Sequence, residues 1–140
     1  MKGHIVSAQD NVAAQPAFGE TVNSGDLGAL DDLVSPDCVD HDPAPSQEPG
    51  AAGYRRFFGQ MRTAFPDLHI EVEHLTAAEN DVAFAYTLTG THRGPLQGHG
   101  ATGKSVKIRG LQISRFSGGK VVERWGSSDE MNMMTQLGLA

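Results

Sequence analysis

The apolar residues of this chain change their spacing near residue 66, and that change constrains the fold more than any other feature. Between Ala51 and Phe65 the side chains of Tyr54, Phe57, Phe58, Met61 and Phe65 recur at intervals of three and four, the period of one helical face. Beyond Pro66-Asp67 the interval becomes two, the period of a strand with one buried face. A helix with so wide an apolar face must pack on a second layer, and successive strands joined by short turns supply one. The order predicts an α+β domain in which a strongly curved antiparallel sheet is covered by helices.

The remaining segments fit around this frame. Residues 1–14 carry no sustained period and are expected to form a loose N-terminal arm or the frayed start of a helix. Pro16 suits a first helical turn, where its missing N–H costs nothing, and Phe18 and Val22 follow four apart before Asn23-Ser24-Gly25. Asp26 is the expected N-cap of a second short helix striped by Leu27, Leu30, Leu33 and Val34 and stopped by Ser35-Pro36. Asp37 to Pro43 reads as a short strand, and the Pro-, Ser- and Gly-containing run to Gly50 as a loop. Strands are expected over His69–Thr76, Val82–Arg93, Ser105–Phe116 and Lys120–Ser127, with tight turns at Glu79-Asn80-Asp81 and Ser117-Gly118-Gly119. Gly94 to Gly103 is a glycine-rich loop suited to a pocket edge, and residues 131–139 form a terminal helix or tail. No repeat or second core is visible, so residues 1–140 read as one domain.

Composition narrows the function. At 140 residues the chain buries roughly 68–70% of its unfolded surface and needs no staple. The one cysteine, Cys38, has no internal partner, and no Cys/His spacing suits zinc. A formal charge of -6 disfavours nucleic acid. The local cluster Arg55, Arg56, Arg62 is expected on a solvated helix face. No apolar run reaches the ~20 residues of a membrane helix and the first residues make no secretory signal, so a soluble, cytoplasmic protein is expected. The glycines from Gly94 to Gly103 match neither a phosphate loop nor a dinucleotide fingerprint, and no cofactor or metal is expected.

Several residues are placed to do chemistry. In the last strand Trp125 and Asp129 share one parity, and a carboxylate beside an indole is raised towards the range useful for acid/base work. Ser127-Ser128-Asp129-Glu130 equally suits an N-cap for the terminal helix. His41 shares a face with Val39, and the flanking Asp40 and Asp42 point the other way, so His41 faces the core if Val39 does. Phe84, Tyr86 and His92 lie on the more apolar face of the long strand, while His92 and His99 flank the glycine-rich loop. Along the next strand the apolar positions shift from Val106 and Ile108 to Leu111 and Ile113. A bulge at Gly110 would explain the shift, and it would decide whether Gln112 and Ser114 or Arg115 face the pocket. Met131, Met133 and Met134 are expected to fill a hydrophobic contact.

Taken together, Gly25-Asp26-Leu27, Val39-Asp40-His41-Asp42-Pro43, Ala64-Phe65-Pro66-Asp67-Leu68, Thr89-Gly90-Thr91-His92 and Gly119 to Trp125 followed by Asp129 resemble the SnoaL-like polyketide cyclase or ester cyclase family, over residues 16 to 139. The resemblance implies the cone-shaped, nuclear transport factor two-like (cystatin-like) fold and a homodimer formed through the sheet. It also implies cofactor-free ring closure of a polyketide ester by intramolecular aldol condensation. Asp129 matches the family's acid/base, while Arg115 stands near the place of a family histidine. The expected catalytic set is therefore Asp129 with His41 or His92. A small hydrophobic carbonyl compound would lie against Trp125, Tyr86, Phe57, Met61, Arg115, Gln112 and Phe84. An isomerase, dehydratase or epoxide hydrolase on the same fold, or a non-catalytic binding module, are the competing expectations.

Overall fold

A computed structural model of the protein describes residues 8–140. The chain runs through α1 (Ala8–Ser24), a 3₁₀ turn (Leu27–Ala29), α2 (Leu30–Leu33), β1 (Val34–Asp40) and α3 (Gly50–Ala64). It continues with β2 (His69–Ala78), β3 (Asp81–Thr91), β4 (Ser105–Ser117), β5 (Lys120–Ser128) and α4 (Glu130–Gln136). This is the expected α+β order, and the five strands form a curled, unclosed sheet in the order β1-β5-β4-β3-β2.

The pairs β2–β3, β3–β4 and β4–β5 are antiparallel, as short turns require. β1 lies parallel to β5, so the sheet is mixed. β1 begins at Val34, before Pro36, and the proline is tolerated because β1 is an edge strand.

Of the two expectations for residues 1–14, the start of a helix holds from Ala8 onward. Residues 1–7 lie outside the described residues, whereas 8–14 belong to α1 and Pro16 sits within that helix. Tertiary bonds hold α1 along β2: Asn11 Nδ2 donates to Glu79 O (3.3 Å), and Asn23 Nδ2 donates to Ile70 O (3.0 Å) while its Oδ1 accepts from Ile70 N (2.7 Å). Arg62 does not belong to a solvated face. Its Nη1 donates to Val22 O and Asn23 O at 3.2 and 3.0 Å, satisfying carbonyls that the end of α1 leaves open. Arg55 pairs with Asp31, and Arg56 reaches Glu48 at 3.7 Å.

The core lies between the helices and one sheet face, around Val22, Leu30, Phe65, Val82, Val106, Ile108 and Phe116. Burying a side chain such as Phe65 contributes about 1.5–3 kcal/mol. Phe65 presses on β3 at Gly90, where an added Cβ would sit 2.9 Å from its own Cβ.

No bulge interrupts Gly110. Its pairing with Tyr86 and Ser128 is in register, and the β4–β5 irregularity falls between Arg115 and Phe116. Even-numbered residues of β4 face inward throughout, with Leu111 and Ile113 left exposed on the other face. The apparent phase change records a polar patch, Gln112 and Ser114, on the inner face and an apolar one outside.

Candidate active site

α1, α3 and α4 do not fill the concave side of the sheet. They leave a cavity of about 780 Å³, within the size range of small-molecule sites. Phe57, Phe58 and Met61 of α3 form one wall and Phe84, Tyr86 and Leu88 of β3 the opposite one. Phe18 of α1 meets Tyr54 and Phe58 edge-on, with centroids 6.4 and 6.0 Å apart. Leu96 and Gln97 of the glycine-rich loop reach the rim, where that loop was expected.

One end of this apolar chamber is polar, and the alternation of β1 explains why. Cys38 is buried while Val39 is half exposed, so Cys38 and Asp40 turn inward and Val39 and His41 outward. The Asp40 side chain is 7% exposed and that of Arg124, on the adjacent β5, is 18% exposed. Arg124 Nη1 donates to both Asp40 oxygens at 3.0 and 3.1 Å. Tyr54 Oη donates to Asp40 Oδ2 at 2.9 Å, Gln47 Nε2 to the same oxygen at 3.1 Å, and Asp42 N to Oδ1 at 2.9 Å. Arg124 Nε donates to Gln112 Oε1 (2.9 Å), and Gln112 Nε2 donates to Ser114 Oγ (3.0 Å).

These contacts set the protonation states. Burial alone would raise the Asp40 carboxyl, but the Arg124 guanidinium, the Asp42 N–H and the Tyr54 hydroxyl outweigh it and hold Asp40 below its ordinary value. Burial, and then the negative charge of Asp40, push the Tyr54 hydroxyl well up, so it remains a proton donor. Burial likewise raises Tyr86. The cluster therefore offers a carboxylate, a fixed guanidinium and two neutral phenols. Arg124 Nη2 makes no hydrogen bond to any described residue, which leaves one donor of the fork for a bound oxygen.

The family model of the SnoaL-like polyketide cyclases matches residues 5–137. This chain belongs to that family. Several solved structures overlay closely. IdmH of Streptomyces antibioticus, assigned as a polyketide cyclase, is 30% identical with TM-score 0.80, covering 91% of this chain and 98% of its own. AclR of Streptomyces galilaeus, assigned as a hydroxylase, is 30% identical with TM-score 0.83, covering 96% and 99%. TsrD of Streptomyces laurentii, 23% identical over 94% and 97% of the two chains with TM-score 0.86, shares the fold. The curated proteins include no match.

Within this SnoaL-like chain the residues expected at the site divide between two faces. Tyr86, Phe57, Met61, Gln112 and Phe84 line the cavity. Arg115 and Trp125 do not. They lie on the opposite face, Arg115 bonded to Asp81 at 2.9 Å and Glu123 at 3.2 Å and its guanidinium 5.1 Å from the Trp125 ring. An arginine between two carboxylates is thus present, but turned away from the chamber.

The three residues expected to be catalytic all stand elsewhere. His41 faces outward with Val39, its Nε2 2.8 Å from Glu123 Oε2. His92 is fully buried beside Phe65 and takes a hydrogen bond from Thr102 N at its Nδ1 (3.2 Å), so its ring serves the loop that follows β3. Asp129 is an exposed cap, its Oδ1 accepting from Asn132 N at 3.2 Å, although its neighbours Ser128 and Glu130 both line the cavity. Sequence reasoning did not single out Asp40 and Arg124 as candidates. The available signal was parity: Asp40 shares its face with Cys38, and Arg124 faces away from Trp125.

Proposed function

We propose that the protein catalyses cofactor-free acid/base chemistry on a hydrophobic carbonyl compound, in the form of intramolecular aldol ring closure of a polyketide ester. One observation carries this reading: a largely apolar cavity carries, at one end, a buried cluster in which Asp40, Arg124, Gln112 and Tyr54 converge. A non-catalytic pocket would not need a buried ion pair, which costs desolvation to assemble.

In this reading Asp40 takes a proton from the carbon between two carbonyls, and the electron pair moves onto oxygen as an enolate held by Arg124 Nη2. The enolate carbon then attacks a second carbonyl carbon of the same molecule. A carbon–carbon bond forms, and the new alkoxide receives the proton from Asp40. A carboxylate held below its ordinary value is a weak base, so the substrate must already be an activated carbon acid. The concave cavity, walled by α3 and β3, favours the folded conformation that ring closure needs.

Turnover of a panel of aryl β-ketoesters by the wild type, Asp40→Asn, Arg124→Met and Asp129→Asn tests this. Asp40→Asn and Arg124→Met should each lose at least about 100-fold in rate, with Asp129→Asn close to wild type. Full activity of Asp40→Asn with loss in Asp129→Asn would move the base to the end of β5, where the family resemblance puts it.

The same reading includes a homodimer through the outer sheet face. Leu111, Ile113 and Val39 are 62%, 41% and 51% exposed there, beside Trp125, and exposed apolar residues so grouped mark an association surface. The free thiol of Cys38 suits a reducing compartment such as the cytoplasm. No helix among the described residues is long and apolar enough to cross a membrane.

A further inference from the structure

Two glycines on the inner sheet face set where two hydrogen-bond donors of the cavity stand. Tyr86, Gly110 and Ser128 form one row across β3, β4 and β5, and the next row is Phe84, Gln112 and Gly126. A Cβ at Gly110 would strike Cζ and Oη of Tyr86, and one at Gly126 would strike Nη2 of Arg124. The Tyr86 ring therefore lies across β4 with its hydroxyl turned towards Ser128, and the Arg124 guanidinium leans along β5 towards the same row.

The Tyr86 hydroxyl has no task in the chemistry above. Tyr86 lines the cavity, and its Oη donates to no described residue. It is not sealed off: the closed, unpartnered side-chain atoms among the described residues are Asn11 Oδ1, Gln15 Oε1 and His92 Nε2. Burial raises Tyr86 above its ordinary value against the pull of Arg124 and Ser128, so it stands as a neutral donor. Ser128 favours the ionised form, as a hydroxyl approaching the phenol oxygen does, which leaves the phenol proton for the cavity.

Gly110 and Gly126 are diagonal neighbours on adjacent strands, a relation that spans about 7–8 Å. Arg124 Nη2 and Tyr86 Oη each lie over one of them and stand about that far apart. A single oxygen could accept from both donors only within about 6 Å, twice a hydrogen-bond length. The pair thus suits two oxygens of one folded molecule. An aldol closure has two, the enolate oxygen and the oxygen of the carbonyl under attack.

Resting on the reading in which Arg124 holds the enolate, we infer that Tyr86 is a further catalytic residue, the hydrogen-bond donor to the carbonyl that the enolate attacks. As the carbon–carbon bond forms, the π pair of that carbonyl moves onto its oxygen. The Tyr86 O–H holds the developing alkoxide and keeps its own proton, and the alkoxide is then protonated from Asp40. A donor fixed where charge develops acts on the transition state more than on the ground state.

The test uses methyl (phenylacetyl)acetate, whose acidic carbon lies between a ketone and an ester, and its ortho-acetylphenyl analogue, in which the enolate can close a six-membered ring on the acetyl carbonyl. Exchange of the acidic proton in deuterium oxide is followed by NMR with the first, and ring closure by absorbance with the second. Both are measured above the spontaneous rate for wild type, Tyr86→Phe, Asp40→Asn and Arg124→Met. Tyr86→Phe should lose about 100-fold in ring closure, hold exchange within about threefold of wild type and melt with it, while Asp40→Asn and Arg124→Met should lose both reactions. A Tyr86→Phe variant that closes the ring like wild type, that loses exchange as much as closure, or that melts markedly lower would overturn the inference. Exchange in Asp40→Asn and Arg124→Met as fast as in wild type, or a wild type that speeds neither reaction, would refute the enolate reading and the inference with it. Loss of both reactions in those two variants with ring closure intact in Tyr86→Phe leaves that reading standing and removes Tyr86 alone.

Discussion

The imidazole of His41 lies flat on the indole of Trp125, with ring centroids 4.7 Å apart and planes 8° from parallel, on the sheet face turned away from the cavity. Both residues were natural candidates for chemistry, and both belong to a surface. Around them Glu123 bonds His41, and Arg115 bonds Glu123 and Asp81, bordering the exposed Leu111 and Ile113.

That surface should hold two copies together. Leu111→Lys combined with Ile113→Lys is expected to shift the protein from dimer to monomer in sedimentation velocity, because two charges on a buried apolar contact carry a large desolvation cost. His41→Ala should leave turnover within about twofold, since surface substitutions away from a site have small effects. A wild type that sediments as a monomer would refute the dimer.

Asp129 should act on stability. Asp129→Ala removes the acceptor for Asn132 N and is expected to cost about 1 kcal/mol in urea unfolding. Asp129→Asn keeps a capping oxygen and should cost only a few tenths. Equal losses for the two variants would show that charge, not the capping bond, matters there.

Gly110 is required by the cavity wall. A Cβ at this position would run into the Tyr86 ring, displacing a side chain that lines the chamber. Gly110→Ala is expected to destabilise by about 1–3 kcal/mol, the usual cost of overpacking, and to weaken ligand binding as Tyr86 moves inward. Unchanged stability with unchanged binding would mean that the ring can withdraw.

The polar end of the site should show opposite pH dependences. Burial pushes the Cys38 thiol up to about 11, whereas an unfolded thiol ionises near ~8.5. Its contribution is whole below ~8.5 and is lost as pH rises towards 11, and alkylation of Cys38 at pH 8 should be far slower than in the unfolded chain. Asp40 has the reverse sign. Its folded value lies below the ordinary one, so its contribution is present above about 3.9 and disappears as pH falls through the lower folded value. Asp40→Asn should flatten the acid limb of a stability-pH curve and leave the alkaline limb. An unchanged acid limb would mean that other carboxylates set it.

Much of the architecture was legible because it depends on local periodicity. The three-and-four spacing from Tyr54 to Phe65 is the helix α3, and the two-residue alternation gives β2 to β5 nearly to their ends. Less local features were misread. Residues 8–14 have no helical period, yet α1 extends through them, with Asn11 bonded to a turn 68 residues away. Apolarity does not mark the inner face of β4 throughout, because Leu111 and Ile113 are apolar residues of the outer one.

The sequence by itself determined that Asp40 and His41 must lie on opposite sides of the sheet, because successive residues of a strand always do. It determined equally that Trp125 and Arg124 are divided in the same way. Which member of each pair meets the cavity was decided only by tertiary structure. β1 returns parallel to β5, with Asp40 opposite Arg124, and α3 covers that face. The parallel pairing joins residues 84 positions apart, and no local pattern encodes which face the helices will cover. Packing put the carboxylate and guanidinium inside and left the two rings for the surface.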